Sequence, residues 1–361
     1  RDLVRSRGLG DVYKRQEVGG ANEPNQVYVD LSSGKMTSIR RDAWDLAFYC
    51  GDDFRVILNP SIAMTVKETP FTDIHKFVAP VSEILFDDDP KLPSRKPIAD
   101  HLIDDPRGIL QEEAGLKGTG TAIAQISEKE EENKVYLLNL GNEISTTTPE
   151  TGGINLQGAH RGFMKIRVKR SGNGYELSYA KNDELKDIKT VTISKNADYN
   201  FVFLNLSTGK TVQVQPKKKD WDLCFTPSTS WFSTQKDRIG DPFNSATFFP
   251  DMIISNLHGD TKATILQAAN NKEKSEEKRN AEYSTYTKEK ALKINFSLEK
   301  YNNQMIIGRN WRDNQLGALI RNELFYLIKD GDGNYFKLKI LSMKNDKGER
   351  GYPAFEYELL K

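Results

Sequence analysis

The chain has 361 residues, with 52 lysines and arginines against 51 aspartates and glutamates and only two cysteines. That length suits about two domains, the even charge leaves no basic stripe for nucleic acid, and no apolar run approaches the ~18 residues of a membrane-spanning helix. Cys50 and Cys224 are too few for a disulfide scaffold; they read as two unpaired, partly buried thiols, with a mutual disulfide as the alternative.

Residues 1–16 (RDLVRSRGLGDVYKRQ) are basic, lack apolar periodicity and resemble translated adapter sequence, so they read as a non-native scar. The strand that should precede the first repeat is then expected to be missing, and any signal peptide with it. Residues 27–31 (VYVDL) alternate as a strand, Ser32-Ser33-Gly34-Lys35 makes a turn, and residues 36–39 return antiparallel. Strands follow at 44–49 and 55–58. The same series recurs at 201–206, 207–210, 211–215, 221–225 and 252–255. Both copies hold Leu-Ser-Ser/Thr-Gly-Lys and then Trp-Asp-Leu-x-Phe, thirteen positions from Leu31 to Trp44 and fifteen from Leu206 to Trp221. The copies also close alike, with strands at 135–138, 164–168 and 175–179 in the first and 325–328, 336–340 and 355–359 in the second. Between these ends lie long inserts with charge runs, 62–133 and 262–293, that read as solvated helix faces or loops. Short helices are expected around 110–114 and 263–269. Binding loops would sit on these inserts.

Period-two alternation throughout predicts an all-β protein, mainly antiparallel sheets with a few short helices. A repeat of this length makes each copy the same kind of folding unit. The units are 17–185 and 186–361, meeting in the charged stretch 181–189. Positions the copies share are expected to build the scaffold, and positions they do not share are where function diverges.

At Trp44-Asp45-Leu46-Ala47-Phe48, followed by Phe54-Arg55-Val56-Ile57-Leu58-Asn59, the chain resembles the HmuY family. Residues 335–341 (YFKLKIL), 348–359 (GERGYPAFEYEL) and the second Trp221-Asp222-Leu223 extend the likeness over nearly all of 17–361. These are haem-binding lipoproteins and secreted haemophores of Gram-negative anaerobes. The resemblance implies a mostly antiparallel β fold and display on the outer membrane, lipid-anchored, or secretion. It also implies haem held by two axial side chains, taken from host haem carriers and passed to a TonB-dependent outer-membrane receptor. One departure stands out: haem-binding members look like single units, whereas this chain holds two in tandem.

A haem pocket needs an apolar slot, axial donors and cations for the propionates. The sequence offers four histidines and six methionines, and no histidine recurs between the copies. The candidate site lies in the second unit: His258 and Met305 as ligands, Arg309 and Arg312 near the propionates. Against it stands a reading of Met305 as core filling and His258 as a turn residue. His75 with His101 is an alternative pair, and His160 precedes a closing strand. The shared Trp-Asp pairs read as structural, the Trp packed between layers and the Asp holding backbone donors. Asp330, Asp332 and Asn334 mimic the start of a calcium loop, but Tyr335 and Leu341 stand where it needs Gly and Glu, leaving a β-turn. No hydrolase, metalloprotease, P-loop or dinucleotide motif is present, so no enzyme is expected. The rival function is a cell-surface structural or interaction protein that keeps the fold without haem ligands. A carbohydrate-binding module would use Trp231, Trp311 and Tyr283 as a platform.

Overall fold

A computed structural model describes residues 5–7, 11–15, 18–85, 95–97, 102–114, 118–231, 245–268, 275–313 and 319–361. Antiparallel sheets dominate, as the alternation predicts, and the copies build matching sheets. In the first, Gly174–Lys181, Phe163–Ser171, Tyr136–Asn139 and Thr65–Glu68 lie side by side. In the second, Arg350–Leu359, Tyr335–Lys344, Leu324–Lys329 and Lys262–Gln267 take the same order. Lys189–Ser194 flanks the first of these sheets, and Asp11–Arg15 takes the corresponding edge of the second, pairing Val12 with Tyr357. The strand position expected to be vacant is thus filled by residues 11–15.

The remaining strands do not stay within their own copy. The hairpin Asn25–Val29 and Met36–Arg40 of the first copy pairs with Leu223–Trp231 of the second. The hairpin Phe201–Asn205 and Lys210–Val212 of the second pairs with Leu46–Tyr49 of the first. The registers are equivalent: Leu223, Cys224 and Phe225 face Val29, Tyr28 and Val27, and Leu46, Ala47 and Phe48 face Leu204, Phe203 and Val202. The repeat is therefore reciprocally exchanged within one polypeptide, and a sequence copy is not a folded body. Each hairpin turns on a glycine with positive φ, Gly34 at 75° and Gly209 at 68°, where a side chain would be strained.

Packing follows the exchange. Val27, Val29 and Leu31 of the first hairpin are buried with Leu223, Phe225, Leu338 and Phe355 of the second copy. Leu204 and Leu206 are buried with Leu46, Phe48, Ile166 and Leu177 of the first. A third cluster, with Tyr28, Trp44, Phe203 and Trp221 in it, lies at the junction. The shared aspartates hold the exchange in place, as their structural reading requires. Asp45 Oδ2 accepts from the Leu206 amide at 2.6 Å, and Asp222 Oδ2 from the Leu31 amide at 2.7 Å. Each therefore caps the turn of the other copy's hairpin.

Two expected helices are corrected. Residues 110–114 form no helix. Residues 263–267 lie in the strand Lys262–Gln267, because each has a backbone partner on Leu324–Lys329. The helices fall in the charged run instead, at Ser275–Thr285 and Lys288–Ala291. Their mostly polar faces are solvated, while Arg279 and Tyr283 are buried against the sheet. Asp330 closes a β-turn, accepting from the amides of Asp332 and Asn334 at 3.0 and 2.8 Å. Among the described residues no helix is long and apolar enough to cross a membrane.

Candidate functional site

Each Trp-Asp strand is followed by a second strand, then by an asparagine that caps a short 3-10 turn. In the first copy Asn59 Nδ2 donates to the carbonyls of Arg41 and Trp44, both at 2.7 Å, and its Oδ1 accepts from the Ser61 amide. In the second, Asn256 Nδ2 donates to Lys218 and Trp221, both at 2.8 Å, and its Oδ1 accepts from the Gly259 amide. Left-handed residues end the turns, Ala63 at φ 61° and Asp260 at φ 66°. This shared device presents Ser61 in one copy and His258 in the other.

His258 faces a cavity of about 120 Å³ at the junction of the copies. Tyr28, Trp44, Phe201, Phe203 and Trp221 supply aromatic walls, and Met305 also lines it. The two proposed axial residues thus share one apolar cavity. The His258 ring packs against Tyr49 and Phe201, with centroids 5.4 and 5.5 Å away. Burial lowers its pKa to about 4, against a smaller opposing pull from the Gly108 backbone. At neutral pH the ring is uncharged, the state in which imidazole ligates a metal.

Arg309 and Arg312 are elsewhere. The Arg309 guanidinium lies over the Phe249 ring at 4.2 Å. Arg312 Nε is 3.8 Å from Asp251 Oδ2, beside Arg350, which also binds that carboxylate. Neither arginine lines the cavity, and among the described residues no lysine or arginine does; the charged residues of its described lining are Asp104 and Asp105. Asp104 is pushed up to about 7 by burial, even though it accepts from the amides of Leu58 and Ala122. Among the described residues a porphyrin's carboxylates therefore find no cation inside. The volume also falls below the ~300–1,000 Å³ of typical ligand pockets.

Of the alternative pair, His75 is exposed with Nδ1 3.2 Å from Asp73, and His101 lies outside the described residues. His160 Nε2 is 2.7 Å from Asn139 Oδ1. Among the described residues no cluster of three or more His, Cys, Asp or Glu is poised for a metal ion. Trp311 and Tyr283 are 1% and 2% exposed, and Arg107 lies over Trp231, so these rings form no sugar platform. Both thiols are free; Cys224 is buried and lines the cavity, and Cys50 is half-buried.

Sequence reasoning missed most of the cavity wall. The available signal was divergence between the copies. Gln26 of the first hairpin aligns with Phe201 of the second, and Ser61 with His258. Trp44 Nε1 donates to Gln26 Oε1 at 3.0 Å, whereas Trp221 Nε1 has no partner in the protein.

Fold and cavity define a tandem, strand-exchanged antiparallel β protein with an apolar chamber between its copies. The family model for the HmuY protein matches residues 22–200 and again 197–357, so the chain belongs to the HmuY family and carries the family's unit twice. A comparison with curated proteins finds no match. Among solved structures, apo PinO from Porphyromonas gingivitis is similar at 8% identity, over 98% of this chain and 99% of that one, with a TM-score of 0.25. The apo HmuY analogue of Tannerella forsythia is similar at 10% identity, over 97% of each chain, with a TM-score of 0.24. Scores this low carry no structural inference.

Proposed function

We propose that this protein binds haem or a related porphyrin at the bacterial surface, lipid-anchored or secreted, without catalysing a reaction. It would take its cargo from host haem carriers and hand it to a TonB-dependent outer-membrane receptor. Membership of a family associated with haem binding supports the class. One observation carries the site: His258 and Met305, from separate segments, line the same aromatic cavity. His258 offers a neutral imidazole packed against Tyr49 and Phe201. Met305 offers a thioether, and the aromatic walls supply apolar burial.

The test is titration of the purified protein with haemin. A saturable Soret band that is lost in His258→Ala and weakened in Met305→Ala is the expected result. A flat titration by natively folded protein overturns the reading. The small cavity, with no cation among its described lining residues, favours a second reading, in which the exchanged fold serves as a cell-surface interaction module without haem. That reading predicts the flat titration.

A further inference from the structure

The cavity is closed on one side by a turn from the first copy's insert. Its two ends are pinned: the Asp105 amide donates to the Gly120 carbonyl at 2.9 Å, and the Thr121 amide to the Leu110 carbonyl at 3.0 Å. Between the pins, two consecutive carbonyls accept from the second copy. Pro106 accepts from Gln304 Nε2 at 3.0 Å and Arg107 from the Gln304 amide at 2.9 Å, while the next residue, Gly108, lines the cavity with His258. Gly108 has φ +82°, and a Cβ there would lie 2.6 Å from Gln304 Oε1, so the close approach needs a glycine.

Closure leaves polar groups unpaired beneath the turn. Trp221 Nε1, Asn200 Oδ1 and Gln215 Oε1 are buried without partners, and all three residues line the cavity. The Asn200 orientation is not arbitrary. Asn256 spends its amide on two carbonyls, so Asn200 must donate its own Nδ2 to Asn256 Oδ1, at 2.9 Å, and its oxygen is left over. Buried donors and acceptors in this condition destabilise the closed state relative to one that water or a guest can reach.

We propose that the 105–110 turn is a gate over the junction cavity, latched by the two Gln304 bonds, and that its opening admits the guest to the His258 side of the chamber. The gate rests on the porphyrin reading only for the identity of the guest. It reconciles a chamber of about 120 Å³ with a larger cargo.

Cys224 provides a reporter inside the chamber. It is 3% exposed and lines the cavity, and burial raises its thiol pKa. In a Cys50→Ser background, its modification by the uncharged reagent dithiodipyridine is timed under native conditions. Gln304→Ala removes the side-chain latch bond to Pro106, and His258→Phe removes the polar ring beside the turn while keeping a ring against Tyr49 and Phe201. The latch variant should speed labelling about two- to tenfold, from the net worth of a hydrogen bond, and the double variant at least as much. Val168→Ala, in the first copy's core and away from the turn, controls for global unfolding. If the latch variants label no faster than this control at matched unfolding free energy, the gate is overturned. Haemin is titrated separately. Faster labelling without a Soret band in the wild type keeps the gate and discards the porphyrin. A Soret band without faster labelling does the reverse.

Discussion

Trp44 and Trp221 make matching contacts, and the differences around them locate the site. Trp44 meets Phe203 edge-on with centroids 4.7 Å apart, and Trp221 meets Tyr28 edge-on at 5.0 Å, both at 86°. The Asp45 amide donates to the Leu204 carbonyl, and the Asp222 amide to that of Val29. Asn59 and Asn256 each tie back to the Trp carbonyl. The copies part at the cavity: Gln26 on its wall corresponds to Phe201, and His258, which lines it, stands where the other copy has Ser61. They part again behind the aspartates. Asp45 has an ion pair with Arg161 at 2.8 Å, while Asp222 accepts from the Thr261 hydroxyl at 3.3 Å. What is duplicated is the frame, and what is single is the chemistry.

The most severe way to break the comparison is to separate the copies. Residues 186–361 alone lack the Asn25–Val29 partner of Leu223–Trp231, so this half should not fold as a native monomer. Circular dichroism, urea titration and size-exclusion chromatography check it. A cooperative, monomeric half would refute the exchange. Next, Trp44→Ala and Trp221→Ala should each cost ~3–5 kcal/mol in urea unfolding, because both empty a buried aromatic contact across the junction. Arg161→Met should cost a similar ~3–5 kcal/mol by leaving Asp45 buried without its cation. A loss under ~1 kcal/mol there would remove the proposed asymmetry behind the aspartates.

Smaller effects sharpen the contrast. Gln26→Phe makes the first copy resemble the second and strands the Trp44 N–H, for an expected loss of ~1–3 kcal/mol. The smallest effect is a pH slope. His258 is depressed from 6.5 to about 4, so the unfolded chain binds its proton first and folding stability falls as pH drops from about 6.5 towards 4. Asp222, raised to about 7 chiefly by burial, works oppositely: it favours the native state as pH falls from about 7 towards 4. The wild type therefore shows only the sum. Unfolding free energies at pH 7 and 4.5, compared between wild type and His258→Phe, isolate the histidine. The variant should lose less stability on acidification, by order 1–3 kcal/mol. An identical loss in both proteins would show that His258 is not held neutral.

Much of this was legible from residue order. Alternation located the strands to within a few residues, Leu-Ser-Ser/Thr-Gly-Lys located both turns, and the repeated Trp-Asp marked the scaffold. His258 and Met305 are legible as donor types and do share a cavity. Arg309 and Arg312 stand near Met305 in sequence only. The fold turns them towards Phe249 and Asp251, since the Ile253–Gly308 bridge lays this segment along another strand. The pattern at 263–269 is short and ambiguous and suggests helix, whereas the backbone partner at Leu324–Lys329 makes residues 263–267 a strand.

By itself the sequence determined which residues are strands, where the chain turns and that one module occurs twice, because these depend on local spacing and side-chain type. Tertiary structure alone decided that each hairpin crosses to the other copy and that the 105–110 turn closes the chamber so formed. Sheet hydrogen bonds are made by backbone groups alike in every residue. Both hairpins present a similar apolar face, so the pattern fixes which side is buried and leaves the partner to the packing of the whole chain.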